Sequence, residues 1–239
     1  MKEITAMRDD SPLIMVVDDD DDIRQYVERV LQGRGYATVG AANGLEALPL
    51  LGQKMPALII LDLVMPYMDG LATCREIRRT SQCPIIVLSA LEDEPRKVAA
   101  FEEGADDYLT KPFGSAELLA RVKAVLRRTA KGSNIPETSK FVKFQGLEVD
   151  LEGNRVLRNG VALRLTRTEL SLIKVLAQHA GQIVSHRTLL RKVWGPEYGK
   201  ETEYLHVYIG RIRRKLEEDP SNPRYIITEP GIGYRLMTD

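Results

Sequence analysis

The sequence predicts two folded units, a doubly wound α/β unit on a five-stranded parallel sheet followed by a smaller α+β unit. Three observations carry this reading. Up to about residue 128, short apolar runs rich in β-branched residues alternate with patterns of helical period, as strands buried on both faces do between crossover helices. Beyond residue 140 the runs are short and β-rich, carry hairpin dipeptides, and then give way to three helical segments. Between the two, "TAKGSNIPETSK", Thr129 to Lys140, is polar, aperiodic and dotted with Gly, Pro and Ser, which suits a linker. The expected boundaries are 11–128, a linker over 129–140, and 141–239.

In the first unit, strands are expected at Leu13–Val17, Tyr36–Ala41, Ala57–Leu61, Ile85–Leu88 and Asp107–Thr110. After the first of them, Ile23, Tyr26, Val27, Val30 and Leu31 recur at helical spacing until Gly33 and Gly35 stop the pattern. The last helix of the unit is expected from Gly114 to Arg128.

The second unit opens with "FVKFQGLEVDLEGNRVLRNGVALRLT", in which Gly153-Asn154 and Asn159-Gly160 signal tight hairpins. Thr166 and Glu169 have the spacing of a capping box, opening a helix that ends near Gly181. Ser185 caps a second helix that ends near Gly195, and a third runs from Thr202 to Glu218, where Asp219-Pro220 stops it. "RYIITEPGIGYRLM" closes the chain as a hairpin. A sheet, three helices and a terminal hairpin describe a winged helix-turn-helix.

Composition narrows the function. Apolar residues make up 44% and charged residues 28%, ordinary for a globular protein. No apolar stretch approaches the roughly 20 residues of a bilayer span, and the polar start has no signal-peptide core. The expectation is a cytoplasmic protein with no membrane partner; Cys74 and Cys83, two thiols alone, fit a reducing compartment. The formal net charge of zero hides an asymmetry. The first 130 residues hold 16 Lys and Arg against 21 Asp and Glu, the remainder 18 against 13. An acidic unit joined to a basic one suggests two jobs, the second of which could involve nucleic acid.

The chemistry is expected where the first strand ends. "LIMVVDDDDDIRQ", Leu13 to Gln25, runs from apolar strand into five aspartates, and ligands of open α/β sheets bind at strand carboxyl ends. The third strand delivers Asp62 to the same edge. With those strands adjacent, Asp62 faces Asp18 and Asp19, and three converging carboxylates call for a hard divalent ion, Mg²⁺ or Mn²⁺ in its place. Asp20 is expected to shape the turn, with Asp21 and Asp22 in the first helical turn, where the dipole favours negative charge. "IIVLSA" ends the fourth strand on the hydroxyl of Ser89, and "DDYLTKPF" ends the fifth on Lys111, whose bond to Pro112 is a candidate for the cis form. Carboxylate, hydroxyl and cation around Mg²⁺ are what phosphoryl transfer to an aspartate requires.

These motifs resemble a known family. "VVDDD", "LDLVMP", "VLSA" and "GADDYLTKPF" are similar to the receiver domain of two-component systems, of CheY- and flavodoxin-like fold, and with "GIGYR" the whole chain resembles an OmpR/PhoB-type response regulator. The run from "VWGP" to "GIGYR" further resembles the members that regulate potassium-transport operons. The resemblance implies a phosphoryl group accepted on Asp62 from a sensor histidine kinase, with the metal held by Asp19, Asp62, the backbone carbonyl of Val64 and, through water, Asp18. Ser89 would follow the phosphoryl oxygen, Lys111 would pair with it, and Tyr108 would swing inward on activation. A homodimer on phosphorylation would use Lys97, Asp106, Asp107, Glu117 and Arg121 as intersubunit ion pairs around Val98, Phe101 and Ala120.

On the third helix of the second unit, Leu205, Ile209, Ile212 and Leu216 form the core stripe, and Glu203, Val207, Gly210, Arg211 and Arg214 the opposite face, flanked by His206 and Arg213. Double-stranded promoter DNA is the expected partner. Arg211 and Arg214 suit guanine edges and Val207 a thymine methyl; Arg213 and Lys215 suit phosphates. Thr228, Tyr234 and Arg235 belong to the wing. Two departures from the family pattern stand out, Gly210 in place of a frequent arginine and Pro230 in place of a residue that is often basic. The loop "WGPEYGKETEY" matches one that relatives use on RNA polymerase, while Trp194 itself is read as a core residue or phosphate contact.

Two other classes fit the residues less well. A phosphohydrolase using an aspartate nucleophile needs a second acid two residues on, and Val64 stands there. An unphosphorylated interaction module would have lost an acid or the lysine, and none is lost.

Overall fold

The computed structural model describes residues 11–90, 94–130, 141–152 and 154–238. The expected linker falls largely outside them, as does Gly153. The chain divides into two compact units near residue 126.

In the first unit β1 (Leu13–Val17), β2 (Ala37–Ala41), β3 (Leu58–Asp62), β4 (Ile85–Ala90) and β5 (Asp107–Lys111) form one sheet in the order β2-β1-β3-β4-β5, every pair parallel. Helices α1 (Asp21–Gln32), α2 (Gly44–Lys54), α3 (Gly70–Thr80) and α4 (Glu94–Glu103) are the crossovers, and α5 (Ser115–Ala130) follows the last strand. Alternation along the strands sends Ile14, Val16, Leu58, Ile60, Ile86, Leu88 and Leu109 to one face, where they meet Val27 and Leu31 of α1 and Leu118, Val122 and Val125 of α5. Met15, Ile59, Leu61 and Val87, on the other face, are also fully buried. Burial on both faces explains why these strands read as unbroken apolar runs. Every strand matches its expected position within a residue or two.

The second unit holds two sheets. One has the order β6-β7-β8-β9, from β6 (Phe141–Phe144), β7 (Leu147–Asp150), β8 (Val156–Arg158) and β9 (Val161–Ala162). Asn159 and Gly160 make the β8–β9 turn with φ of 50° and 78°. An equivalent β6–β7 turn at Gln145 and Gly146 was not foreseen, because Gln is an unusual residue for a positive φ. Helices α6 (Arg167–Gln178), α7 (His186–Val193) and α8 (Thr202–Leu216) follow. The Thr166–Glu169 capping box forms, and Ser185 Oγ accepts from Thr188 N to cap α7. The wing pairs β11 (Ile226–Glu229) with β12 (Gly233–Leu236), and β12 also takes up the two-residue strand β10 (Val184–Ser185). Among the described residues, no helix is long and apolar enough to cross a membrane.

Candidate functional site

The parallel register of β1 and β3 pairs Val17 with Leu61, so the next residue of each strand, Asp18 and Asp62, emerges at the same edge. Both are buried, while Asp19 stands exposed at the mouth. One carboxylate oxygen of each lies within 4.8 Å of the other two. An all-oxygen set open to solvent on one side fits a hard divalent cation that keeps some of its waters.

The remaining acids belong to the start of α1, Asp21 and Asp22 in its first turn. Asp20 caps α1, its side chain accepting from Asp22 N and Ile23 N, and Asp21 pairs with Arg24. Arg24 was not foreseen: its Nη1 donates to the carbonyl of Asp18 at 2.6 Å and pins the strand end.

Lys111 lies inside the cluster, its Nζ 2.8 Å from Asp18 Oδ2 and 2.6 Å from Asp62 Oδ1. The bond to Pro112 is cis. Burial pulls the Lys111 ammonium down, but its hydrogen bonds to Asp18 and Asp62 and their charge outweigh that and hold it above the usual value. Burial, joined by the charge of Asp62, holds the Asp18 carboxyl above its usual value in spite of Lys111. The other oxygen of Asp62, Oδ2, accepts from Val64 N at 2.8 Å, so the loop after β3 orients the carboxylate. Ser89, one strand over, is buried, and its Oγ has no hydrogen-bond partner among the described residues. Tyr108 already stands inside, 4% exposed, with its hydroxyl donating to the Ala90 carbonyl at 3.4 Å and Lys97 Nζ 5.4 Å from its ring centre.

Gly70 shapes this pocket from below. A Cβ there would fall 2.1 Å from the carbonyl oxygen of Asp62 and 2.7 Å from Leu63 Cα, so only glycine lets α3 begin so close to the loop.

Three residues expected at the dimer face, Phe101, Asp106 and Asp107, are buried within the subunit. Asp106 is enclosed with Arg78 at 2.7 Å, and Asp107 is buried with Arg121 Nη1 at 3.1 Å; both carboxylates are already engaged within the subunit. Phe101 is 1% exposed because α4 turns it onto the core. Lys97, Val98, Glu117, Ala120 and Arg121 retain surface, with Glu117 and Arg121 paired to each other at 2.9 Å.

The expected DNA face also shifts. Arg211 is 9% exposed and faces α6, its Nε 3.1 Å from Glu169 Oε1, so it does not stand where a base edge could reach it. Lys215 Nζ bonds Glu169 Oε2 at 2.6 Å rather than pointing outward. Trp194 is fully buried against Tyr204 and Tyr208, which excludes a phosphate contact. Tyr234 is buried beside His186. The solvent side of α8 is formed by His206 and Arg214, with Glu203, Val207, Gly210 and Arg213 half-buried beside them. Arg213 reaches the wing, donating to the Ile226 carbonyl and to Thr228 Oγ1 at 2.7 and 2.8 Å, and Arg235 pairs with Glu229.

The comparisons with known proteins agree with this layout. Residues 14–123 match the family described as response regulator receiver domain, and residues 160–236 the family described as transcriptional regulatory protein, C terminal. The transcriptional regulatory protein KdpE of Mycobacterium tuberculosis is 41% identical over 224 residues, covering 94% of this chain and 98% of that one. The KDP operon regulator KdpE of Escherichia coli K12 is 42% identical with the same coverage. The transcriptional regulator ycf27 of Guillardia theta is 44% identical over 225 residues, 92% of this chain and 89% of its own. Among solved structures, DrrB, an OmpR/PhoB homologue of Thermotoga maritima, is 34% identical over 95% of this chain and 99% of its own, with a TM-score of 0.51.

Proposed function

The chain belongs to the OmpR/PhoB family of DNA-binding two-component response regulators, and on that premise we propose that Asp62 is its phosphoacceptor. One observation carries the reading: Asp62 is held between the Lys111 ammonium and the Val64 N–H, beside Asp18, Asp19 and the unpartnered hydroxyl of Ser89. An Asp62 oxygen forms a bond to phosphorus as the P–N bond to the kinase histidine breaks and the imidazole leaves. Lys111 offsets the charge gathering on the phosphoryl oxygens, and the Ser89 hydroxyl donates to one of them. Asp18, Asp19, Asp62 and the carbonyl of Val64 are the groups that would hold Mg²⁺, which when bound supplies charge neutralisation for the transfer. Ser89 and Tyr108 are the switch pair.

Phosphorylation promotes a homodimer through the surface of α4 and α5 that retains Lys97, Val98, Glu117, Ala120 and Arg121. In the second unit, α8 meets the major groove of promoter DNA with His206, Val207 and Arg214, while Arg213, Thr228 and Arg235 serve the wing side. The loop between α7 and α8 meets RNA polymerase. The setting is the cytoplasm, where kinase output and promoter DNA are both within reach. The KdpE relatives support a potassium-transport operon as target; the ycf27 relatives, as similar, are named only as transcriptional regulators.

Asp62→Asn abolishes labelling by a small phosphodonor with Mg²⁺ while the fold persists; equal labelling of the variant would overturn the assignment. Genome-wide recovery of bound DNA, with and without phosphodonor, decides the operon.

A further inference from the structure

Glu169 combines two tasks that are usually separate. As the third residue of α6 it closes the capping box, its Oε2 accepting from Thr166 N at 2.7 Å while Thr166 Oγ1 accepts from Glu169 N at 3.3 Å. It is fully buried, and the same carboxylate reaches α8 at two points one turn apart: Oε2 takes Lys215 Nζ at 2.6 Å, and Oε1 lies 3.1 Å from Arg211 Nε. The Arg211 guanidinium also rests 5.7 Å from the Tyr208 ring centre. Two grips a turn apart fix both the rotation of α8 and its position along its axis. A carboxylate removed from water needs such partners, so the arrangement is costly to undo from either side.

We propose that Glu169 is a positioning residue for the DNA-reading helix, holding α8 through Arg211 and Lys215 and keeping both head groups on the α6 side, away from DNA. The proposal rests on α8 being the helix that meets DNA. One carboxylate offsets only one of two charges; what withholds the second is where it is held. The electrostatic footprint of α8 is therefore smaller than its run of basic residues suggests, and discrimination falls to the residues left on its outer side.

The test uses the full-length protein with a random-sequence duplex and a genomic fragment enriched on the protein, each titrated between about 0.05 and 0.3 M salt. Each phosphate contact contributes about −0.9 to the slope of log K against log[salt]. Arg214→Gln should flatten the slope by about one contact, whereas Lys215→Gln should leave it unchanged. Glu169→Gln should steepen it by one to two contacts' worth, roughly 0.9–1.8, and lower the preference for the enriched fragment; adding Lys215→Gln to that variant should restore part of the slope. If Lys215→Gln flattens the slope as much as Arg214→Gln, or if Glu169→Gln weakens both duplexes alike with an unchanged slope, the proposal is overturned. The lysine variant carries the test if Glu169→Gln does not fold. No effect of Arg214→Gln on either duplex would remove the DNA-helix reading itself, and the proposal with it.

Discussion

Arg78 and Asp106 form an enclosed ion pair, Nη2 to Oδ2 at 2.7 Å, with side chains only 10% and 3% exposed. Arg78 also donates to the carbonyls of Cys83 at 2.6 Å and Gly104 at 2.8 Å, and Asp106 Oδ2 accepts from Ile85 N at 3.0 Å. The pair thus ties the end of α3 to the starts of β4 and β5. Removing one partner of a buried pair costs about 3–5 kcal/mol, because the other is left charged and unsatisfied. Arg78→Met should lower the unfolding free energy of the first unit by that order in urea titration, and adding Asp106→Leu should recover part of it. A loss below about 1 kcal/mol would place the pair with ordinary surface bridges.

Gly70→Ala brings a methyl group against backbone rather than against a side chain that can swing away. Overpacking of this kind costs about 1–3 kcal/mol. The loop carrying Asp62 is what has to move, so labelling by a small phosphodonor should slow more than the loss of stability explains. Comparing labelling rates at a temperature where wild type and variant are both fully folded checks this.

Gly210 behaves in the opposite way. Its added Cβ would meet nothing closer than Arg214 Nη2 at 3.9 Å, inside a regular helix. Gly210→Ala should therefore stabilise the second unit by about 0.5–1 kcal/mol, since alanine loses less conformational entropy on entering a helix. Thermal unfolding of the full-length variant would show the gain as a raised midpoint for that unit.

His186 makes the second unit sensitive to acid. Burial, and then the neighbouring His206, push its imidazole below the ordinary value of 6.5, with the His206 and Tyr234 rings 5.8 and 5.5 Å away. A group whose pKa is lowered by folding favours the folded state while it is neutral. That contribution is complete above pH 6.5 and is lost as the pH falls through the folded value. Unfolding midpoints measured from pH 7.5 down to about 5 should fall more steeply for wild type than for His186→Gln; parallel curves would count against the assignment.

The sheet and its site were legible because strand order and side-chain chemistry coincide there. Apolar runs ending in Asp18, Asp62, Ser89 and Lys111 can converge only at the carboxyl edge. The face of α8 was not legible in the same way. A single apolar stripe locates one buried side of a helix, but α8 buries a wider arc that takes in Tyr204, Tyr208 and Arg211. An arginine reads as outward because water usually solvates its charge, and here the charge is met by Glu169, far away in sequence. Cations at 211 and 215, one turn apart and below a tyrosine, are the signal that could have suggested an inward acid. Asp106 and Asp107 misled for the same reason: their partners, Arg78 and Arg121, lie on helices whose approach the sequence alone does not reveal.

The site draws Asp18 and Asp19 from the end of β1, Asp62 from β3, Ser89 from β4 and Lys111 from β5, and the contributions of different strands lie far apart along the chain. A chain with the sheet half assembled holds an aspartate but not its lysine, or a lysine but not its hydroxyl. With Asp62 as the proposed phosphoacceptor, uptake of phosphate would also report correct assembly: a misassembled copy lacks part of the site and would be not only unstable but chemically mute.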